Sequence, residues 1–467
     1  APAVGLSYSA QSVDGRHAAS NNQPSIVGEG FEIGTGGFIE RSYMPCTEVN
    51  DDIDPIGDLC WKNDNANLAL AGHSGELIYN ASEGRWHLRN DDGSRIRREV
   101  GRANGDNDGE YWVVTTADGV EYWFGANRLP GWTDGKPVTN STWTVPVGTS
   151  AGVPCKADSC VQAWRWNLDY VVDVSGNSAS YWYEKDTNRY AREANKNDTV
   201  PYDRGGFLRY ADYGTRRVNG TDNIFTKPAP ARVEFTSADR CVTTTCGTRD
   251  ATNWPDTPWD QNCTGAPCES YSPTFWSSRR LAAVTAQIHA GAAYTSVEKW
   301  TLQHSFPNPG DGTRAGLWLK ALSHKGTVGT DASVPDVEFF GVQKENRVDK
   351  TDHSPAMNWW RIQDIVYETG GKVTVDYEKP ECVADSKVPV DPANNTLRCY
   401  PVNWAPEGHT KPLTDYFHKY VVKTVDEYDV TGGVGEMGSP RIRYTYSYQA
   451  HPPGTTPTTT AWSTGTT

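Results

Sequence analysis

The sequence predicts an all-β chain of extended antiparallel hairpins and ribbon-like sheets with very little helix, and three observations carry that expectation. Hydrophobic residues make up only 37% of the 467 positions, yet there are 18 Trp and 23 Tyr. Burial must therefore come largely from aromatic side chains, which strands accommodate well. Short runs of β-branched and aromatic residues alternate with Gly-containing turns. Ten cysteines fall in close sequence pairs, as local staples of a loop-rich β framework would.

The hairpins read off in order. Residues 86–88 turn at Asp92-Gly93 into 94–96, and Tyr111-Trp112-Val113-Val114-Thr115-Thr116 turns at Asp118-Gly119 into Val120-Glu121-Tyr122-Trp123-Phe124. Residues 362–367 turn through Gly370-Gly371 into 373–377, and residues 420–425 and 441–448 flank a Gly-rich connector. An Asp-Gly or Gly-Gly step supplies the positive φ that a tight reversal between strands requires. Helical spacing is best approached at residues 278–287, which read equally as a strand. A length of 467 residues exceeds what one compact core usually covers, leaving room for several β units or one extended assembly.

The cysteines predict five local disulfides, Cys46 with Cys60, Cys155 with Cys160, Cys241 with Cys246, Cys263 with Cys268 and Cys382 with Cys399, and hence an exported, extracellular protein. The alternative makes Cys241, Cys246, Cys263 and Cys268 a four-thiolate zinc site, although each pair sits at the wide end of the usual ligand spacing. Long connectors at 47–58, 128–151, 194–204 and 248–272 are rich in Pro, Gly, Asn and Asp, and several of the pairs close or border them. From about residue 450 a Pro/Thr/Gly-rich tract has no face to bury, so residues 1–450 are kept together and 451–467 read as a linker or tail.

Acidic residues outnumber basic ones, 58 to 44, giving a formal charge of -14 with no concentrated basic run, which argues against nucleic acid as a partner. No stretch approaches the roughly 18 to 20 apolar residues of a membrane-crossing helix. The opening Ala1-Pro2-Ala3-Val4 has neither a charged nor an apolar leader region, so the chain reads as a soluble, already processed fragment.

A family resemblance covers nearly the whole chain to about residue 450. Gly5-Leu6-Ser7-Tyr8-Ser9-Ala10-Gln11-Ser12-Val13-Asp14-Gly15, then Val27-Gly28-Glu29-Gly30-Phe31 and Phe38-Ile39-Glu40-Arg41-Ser42-Tyr43, resembles the opening of the β-rich region that precedes YD repeats in secreted bacterial Rhs proteins. Trp164-Arg165-Trp166-Asn167-Leu168-Asp169-Tyr170 with Gly176-Asn177 and Tyr181-Trp182-Tyr183 is similar to a degenerate YD repeat. The same holds for Asp203-Arg204-Gly205-Gly206-Phe207-Leu208, and for Trp359-Trp360-Arg361-Ile362 through Gly370-Gly371 to Tyr377. In that family, and in the related B components of bacterial toxin complexes, such ribbons coil into a hollow shell around a variable C-terminal toxin. The resemblance thus implies sheets of the YD-shell type and a downstream domain of the parent chain as partner. This sequence has no regular tandem repeats, no C-terminal core motif and no toxin domain, so closure and encapsulation are not carried over to it alone.

Chemistry is less legible. Asn104-Gly105-Asp106-Asn107-Asp108-Gly109-Glu110 has the alternating oxygen donors and turn glycine of a calcium loop, making Asn104, Asp106, Asp108 and Glu110 candidate Ca²⁺ ligands. Thr115 stands where the bidentate Glu belongs, and a plain acidic turn is the other reading. Asp51, Asp52, Asp54 and Asp58 form a second acidic cluster, to hold a hard cation or simply to be solvated. Gly72-His73-Ser74-Gly75 fails as a nucleophile elbow because Glu76 replaces the final Gly. Metalloprotease, phosphate-loop and dinucleotide motifs do not occur, and the ten histidines are scattered.

A glycosidase needs only two carboxylates facing one groove, and these can come from distant strands. Asp256 and Asp260 beside Trp254 and Trp259 in a Pro-rich loop are the catalytic candidates, and Trp254, Trp259, Trp359 and Trp360 the candidate faces for sugar rings; core packing is the competing reading for each tryptophan. The expected role is an extracellular β scaffold or shell segment that positions or encloses the downstream domain of its parent chain. The alternative is a secreted polysaccharide-degrading enzyme or glycan-binding module.

Overall fold

The computed structural model describes residues 2–17, 22–48, 57–148, 159–349, 354–406, 412–429 and 442–448. The chain is all-β: the described helical segments are single 3₁₀ turns such as Ala10–Val13 and Trp259–Gln261. Of residues 278–287, ambiguous by spacing, all but Ser278 lie in the strand Arg279–Ala290, whose Leu281, Ala283 and Val284 are buried.

The N-terminal half folds around strands β1 (Gly37–Glu40), β2 (Ala66–Leu70), β3 (His73–Asn80), β4 (Arg85–Leu88), β5 (Arg95–Glu99), β6 (Tyr111–Thr115), β7 (Glu121–Phe124), β8 (Thr142–Gly148) and β9 (Ser159–Val172). Successive antiparallel pairings run from β1 to β7, β7 pairs with β9, and β9 returns to β1. These eight strands form a closed ring. Each contributes inward side chains at alternate positions: Ile39, Leu68, Leu77, Trp86, Ile96, Trp112, Phe124 and Trp166 all belong to one buried cluster. An eight-stranded ring has an interior about as wide as its side chains can fill, so this is a packed core rather than a pore. Trp112 stands edge-on to Trp86 and Trp166, with ring centroids at 5.1 and 6.2 Å.

The ring itself has no counterpart in the sequence patterning. Closure depends on Arg165, Trp166 and Asn167 meeting Glu40, Ile39 and Phe38, positions more than a hundred residues apart that no local turn or alternation connects.

β9 is the joint between two bodies of sheet. Along one edge it pairs with β7 and β8, and along the other with β1 and then β10 (Asn177–Ala191). From there an antiparallel meander continues through β11 (Thr199–Val218), β12 (Ala231–Asp239), β13 (Arg279–Ala290), β14 (Ala293–Ser305), β15 (Trp318–Gly326), β16 (Val337–Glu345), β17 (Asn358–Val366), β18 (Gly371–Tyr377), β19 (Val422–Asp429) and β20 (Ile442–Thr445). Each strand pairs with the next. Three register shifts between β10 and β11 are bulges, which bend and twist a long ribbon.

The expected hairpins form at 111–124 and 362–377, with Gly119 and Gly370 at φ +82° and +86°. At 86–96 the two strands share only the Trp86–Ile96 pair. Cys46–Cys60, Cys241–Cys246, Cys263–Cys268 and Cys382–Cys399 are disulfides, so the four sulfurs of the zinc alternative are bonded to one another in pairs. Cys160 is also disulfide-bonded, and its expected partner Cys155 lies outside the described residues, as do Asp51, Asp52, Asp54 and the tract 451–467.

Candidate functional site: the sheet face that holds the N-terminal segment

The N-terminal segment does not extend the sheet; it lies against its face. Gly5–Tyr8 and Phe31–Gly34 form a two-stranded ribbon. Val27 and Phe31 enter a buried cluster with Val233 and Phe235 of β12, Leu281 and Val284 of β13, Leu302 of β14, Trp318 and Leu319 of β15, Phe339 of β16 and Ile362 of β17. Phe31 is ringed edge-on by Tyr8, Trp318 and Phe339 at centroid distances of 5.0, 5.6 and 5.1 Å. Approach this close needs glycine. A Cβ on Gly28, at φ +135°, would sit 2.9 Å from Leu319 N, and one on Gly30 would enter the Tyr8 ring.

Backbone and buried polar groups fix the segment further. Glu29 N donates to Leu317 O and Leu281 N to Ile26 O, each at 2.8 Å. Arg240 Nη2 and Nη1 donate to the carbonyls of Pro24 and Ser25 at 2.9 and 3.1 Å, while its Nε donates to Asp256. Asn346 Nδ2 donates to Val13 O and Arg16 O at 2.8 and 2.9 Å. Asp14 bridges Arg361 and Lys419 at 2.8 and 2.7 Å. A carbonyl held by a guanidinium or an amide is recognised as backbone, whatever its side chain. The face therefore holds the chain's own N-terminal segment largely through its backbone.

Two titratable groups at this interface are held uncharged near neutral pH. The Glu29 carboxyl accepts from Trp360 N at 2.8 Å, and burial pushes it up to about 8. Burial, with Arg280 adding repulsion, pushes the His304 imidazole down to about 3. Its partners define the tautomer: Nε2 lies 3.0 Å from Val27 O and donates, while Nδ1 accepts from Arg280 Nη1 at 3.2 Å.

The residues singled out from sequence are placed elsewhere or used up. Asp256 is fully buried in its pair with Arg240 and also accepts from Leu317 N, whereas Asp260 is exposed and holds Gln261. The two therefore do not share one groove. Trp254 and Trp359 are each 3% exposed, and Trp259 stands edge-on between Trp254 and Trp276. Half-buried Trp360 packs beside Trp318 at 6.3 Å.

In the 104–110 loop, Asp106 accepts from the backbone N–H groups of Asp108, Glu110 and Ala163. Glu110 receives Arg41 on both oxygens, with Arg98 and Trp112 Nε1 completing the set. The Asn104 amide donates to Glu110 O and Gly125 O. Burial, with Asp108 behind it, raises Asp106 to about 7. The side-chain oxygens of Asn104, Asp106 and Glu110 thus point at protein donors while Asp108 is exposed, and among the described residues no group of three or more His, Cys, Asp or Glu converges on a metal-sized site. Asp58 accepts from Tyr190 Oη and Glu193 N.

Sequence reasoning passed over Arg240, Asp14, Glu29, Asn346 and His304 as site residues. The one available signal was Gly28-Glu29-Gly30 between Val27 and Phe31, an acid flanked by glycines where backbone must come close.

No protein-family profile matches the chain, and no curated protein matches it. Among solved structures, the N-terminal domain of the effector protein SpvB from Salmonella typhimurium strain LT2 is similar at 15% identity, over 70% of this chain and 94% of that one, with a TM-score of 0.39. The TcdB2-TccC3-TEV structure is similar at 13% identity over 94% of this chain and 23% of that one, TM-score 0.40. The Tc holotoxin pore of Photorhabdus luminescens is similar at 12% over 96% and 23%, TM-score 0.37. This chain thus spans about a quarter of the latter two, and scores this low carry neither fold nor function over to it.

Proposed function

We propose that the chain is an extracellular β scaffold that holds polypeptide, a shell segment that positions or encloses the downstream part of its parent protein. The observation that carries this reading is the N-terminal segment, gripped across the meander by side chains that bind its carbonyls at Val13, Arg16, Pro24 and Ser25. A face that recognises backbone suits a polypeptide cargo. The disulfides support an oxidising compartment. Among the residues nominated for glycan hydrolysis, Asp256 is buried in its pair with Arg240, and Trp254 and Trp359 are buried, which favours the scaffold reading.

Limited proteolysis of the complete parent protein tests it. Sequence downstream of residue 448 should resist a broad-specificity protease while this region is folded, and be digested once its disulfides are reduced and the region is unfolded. Downstream sequence cleaved equally fast in both states would refute enclosure.

A further inference from the structure

The ladder between β2 and β3 ends at the Ala66–Leu77 pair, and the chain preceding β2 turns away. Asn65 binds Ser42 instead, accepting from its N–H at 2.8 Å and donating to its carbonyl at 2.9 Å. β3 continues three residues further without a neighbour on that edge, while on its other edge Tyr79 still faces Trp86 and Asn80 faces Arg85. A slot opens at the mouth of the ring, with a volume of 630 Å³, between residues 63–65 and β3.

The lining has a definite chemistry. Tyr79 is 51% exposed, and its ring is backed by Trp86 at a centroid distance of 5.4 Å. Backbone groups of successive strand residues face opposite edges. Glu76 O is used by Arg89 N on the β4 side, so by alternation the N–H and C=O of Tyr79 point into the slot. Across from it, Asp64 has one oxygen on Arg98 Nη1 at 2.9 Å and is otherwise half exposed. The charged groups that line the slot are each paired within the protein: Arg98 is shared by Asp64 and Glu110, and Glu76 is held by Arg89, which lies outside the lining.

We infer that this slot is a binding site for a neutral saccharide. An aromatic face beside fixed acceptors and donors matches a sugar ring, which offers C–H groups on one face and hydroxyls at its rim. Lining charges that already have protein partners disfavour ionic ligands. An extended peptide would gain only the single backbone pair of Tyr79, too little for strand addition. Barrel mouths are a recurrent place for such sites. The inference stands apart from the scaffold reading, and either can fail alone.

Isothermal titration of the purified chain with maltohexaose, cellohexaose, xylohexaose and N-acetylchitohexaose tests it, with Tyr79→Ala, Tyr79→Leu and Tyr79→Phe alongside. At least one oligosaccharide should bind at roughly millimolar affinity or tighter. Tyr79→Ala and Tyr79→Leu should each weaken it about tenfold, Tyr79→Phe should retain it, and the unfolding temperature of Tyr79→Leu should stay at the parent value. No binding by any of the four, binding indifferent to loss of the ring, or preferential binding of an extended peptide would overturn it.

Discussion

Arg240 and Asp256 meet at 2.8 Å with both side chains wholly withdrawn from solvent, and the guanidinium reaches past the carboxylate to the carbonyls of Pro24 and Ser25. One buried pair thus ties the loop between β12 and β13 to the N-terminal segment, 215 residues away in sequence.

Removing one partner leaves the other charged and unpaired in the core. Arg240→Met should cost about 3–5 kcal/mol in chemical denaturation, and Arg240→Met with Asp256→Leu should recover part of that loss. A double variant no better than the single one would show that the carbonyl contacts, rather than the ion pair, dominate.

The pH dependence has a definite sign. Glu29 is raised in the folded state from 4.5 to about 8, so its contribution is fully present below pH 4.5 and is lost as pH rises toward 8. His304, lowered from 6.5 to about 3, acts oppositely: its contribution is full above pH 6.5 and is lost as pH falls toward 3. Glu29→Gln, which keeps an oxygen for Trp360 N, should flatten the alkaline limb of a stability–pH curve and leave the acid limb in place. An unchanged alkaline limb would assign that slope to other groups.

The longer disulfide loops should matter most. Cys46–Cys60 and Cys382–Cys399 span 14 and 17 residues, against 5 for Cys241–Cys246. Paired Cys→Ala substitution of either long link should cost about 3 kcal/mol, and of Cys241–Cys246 less, as measured by denaturation. Equal losses for all three would contradict the loop-entropy argument.

The 104–110 loop is held by protein donors, so adding Ca²⁺ should not shift the unfolding temperature. Gly109→Ala should unfold the loop's surroundings, because φ is +72° and a Cβ would lie 2.1 Å from Arg102 O. A rise of several degrees with Ca²⁺ would show that the loop reorganises around the ion.

The legible part of the sequence was local. Alternation and turn chemistry predict the hairpin at Asp118-Gly119 and the one at Gly370-Gly371, because each is decided within a dozen residues. The cysteine pairs are equally local. The ring closure through Trp166 and Ile39, and the docking of Val27 and Phe31 under β12 to β17, depend on contacts more than a hundred residues apart that leave no periodic trace. Asp256 and Trp254 suggest a sugar site from composition, but the same pairing of an acid with aromatics also builds a core when an arginine such as Arg240, 16 residues earlier in the same loop, folds back onto the acid.

Native-state hydrogen exchange across residues 22–34 measures most directly whether the meander grips polypeptide. Amides such as Glu29 N, bonded to Leu317 O, should exchange as slowly as those of β13, and Arg240→Met should speed them selectively. Exchange as fast as in exposed loops in the unaltered protein would contradict a segment locked to the sheet.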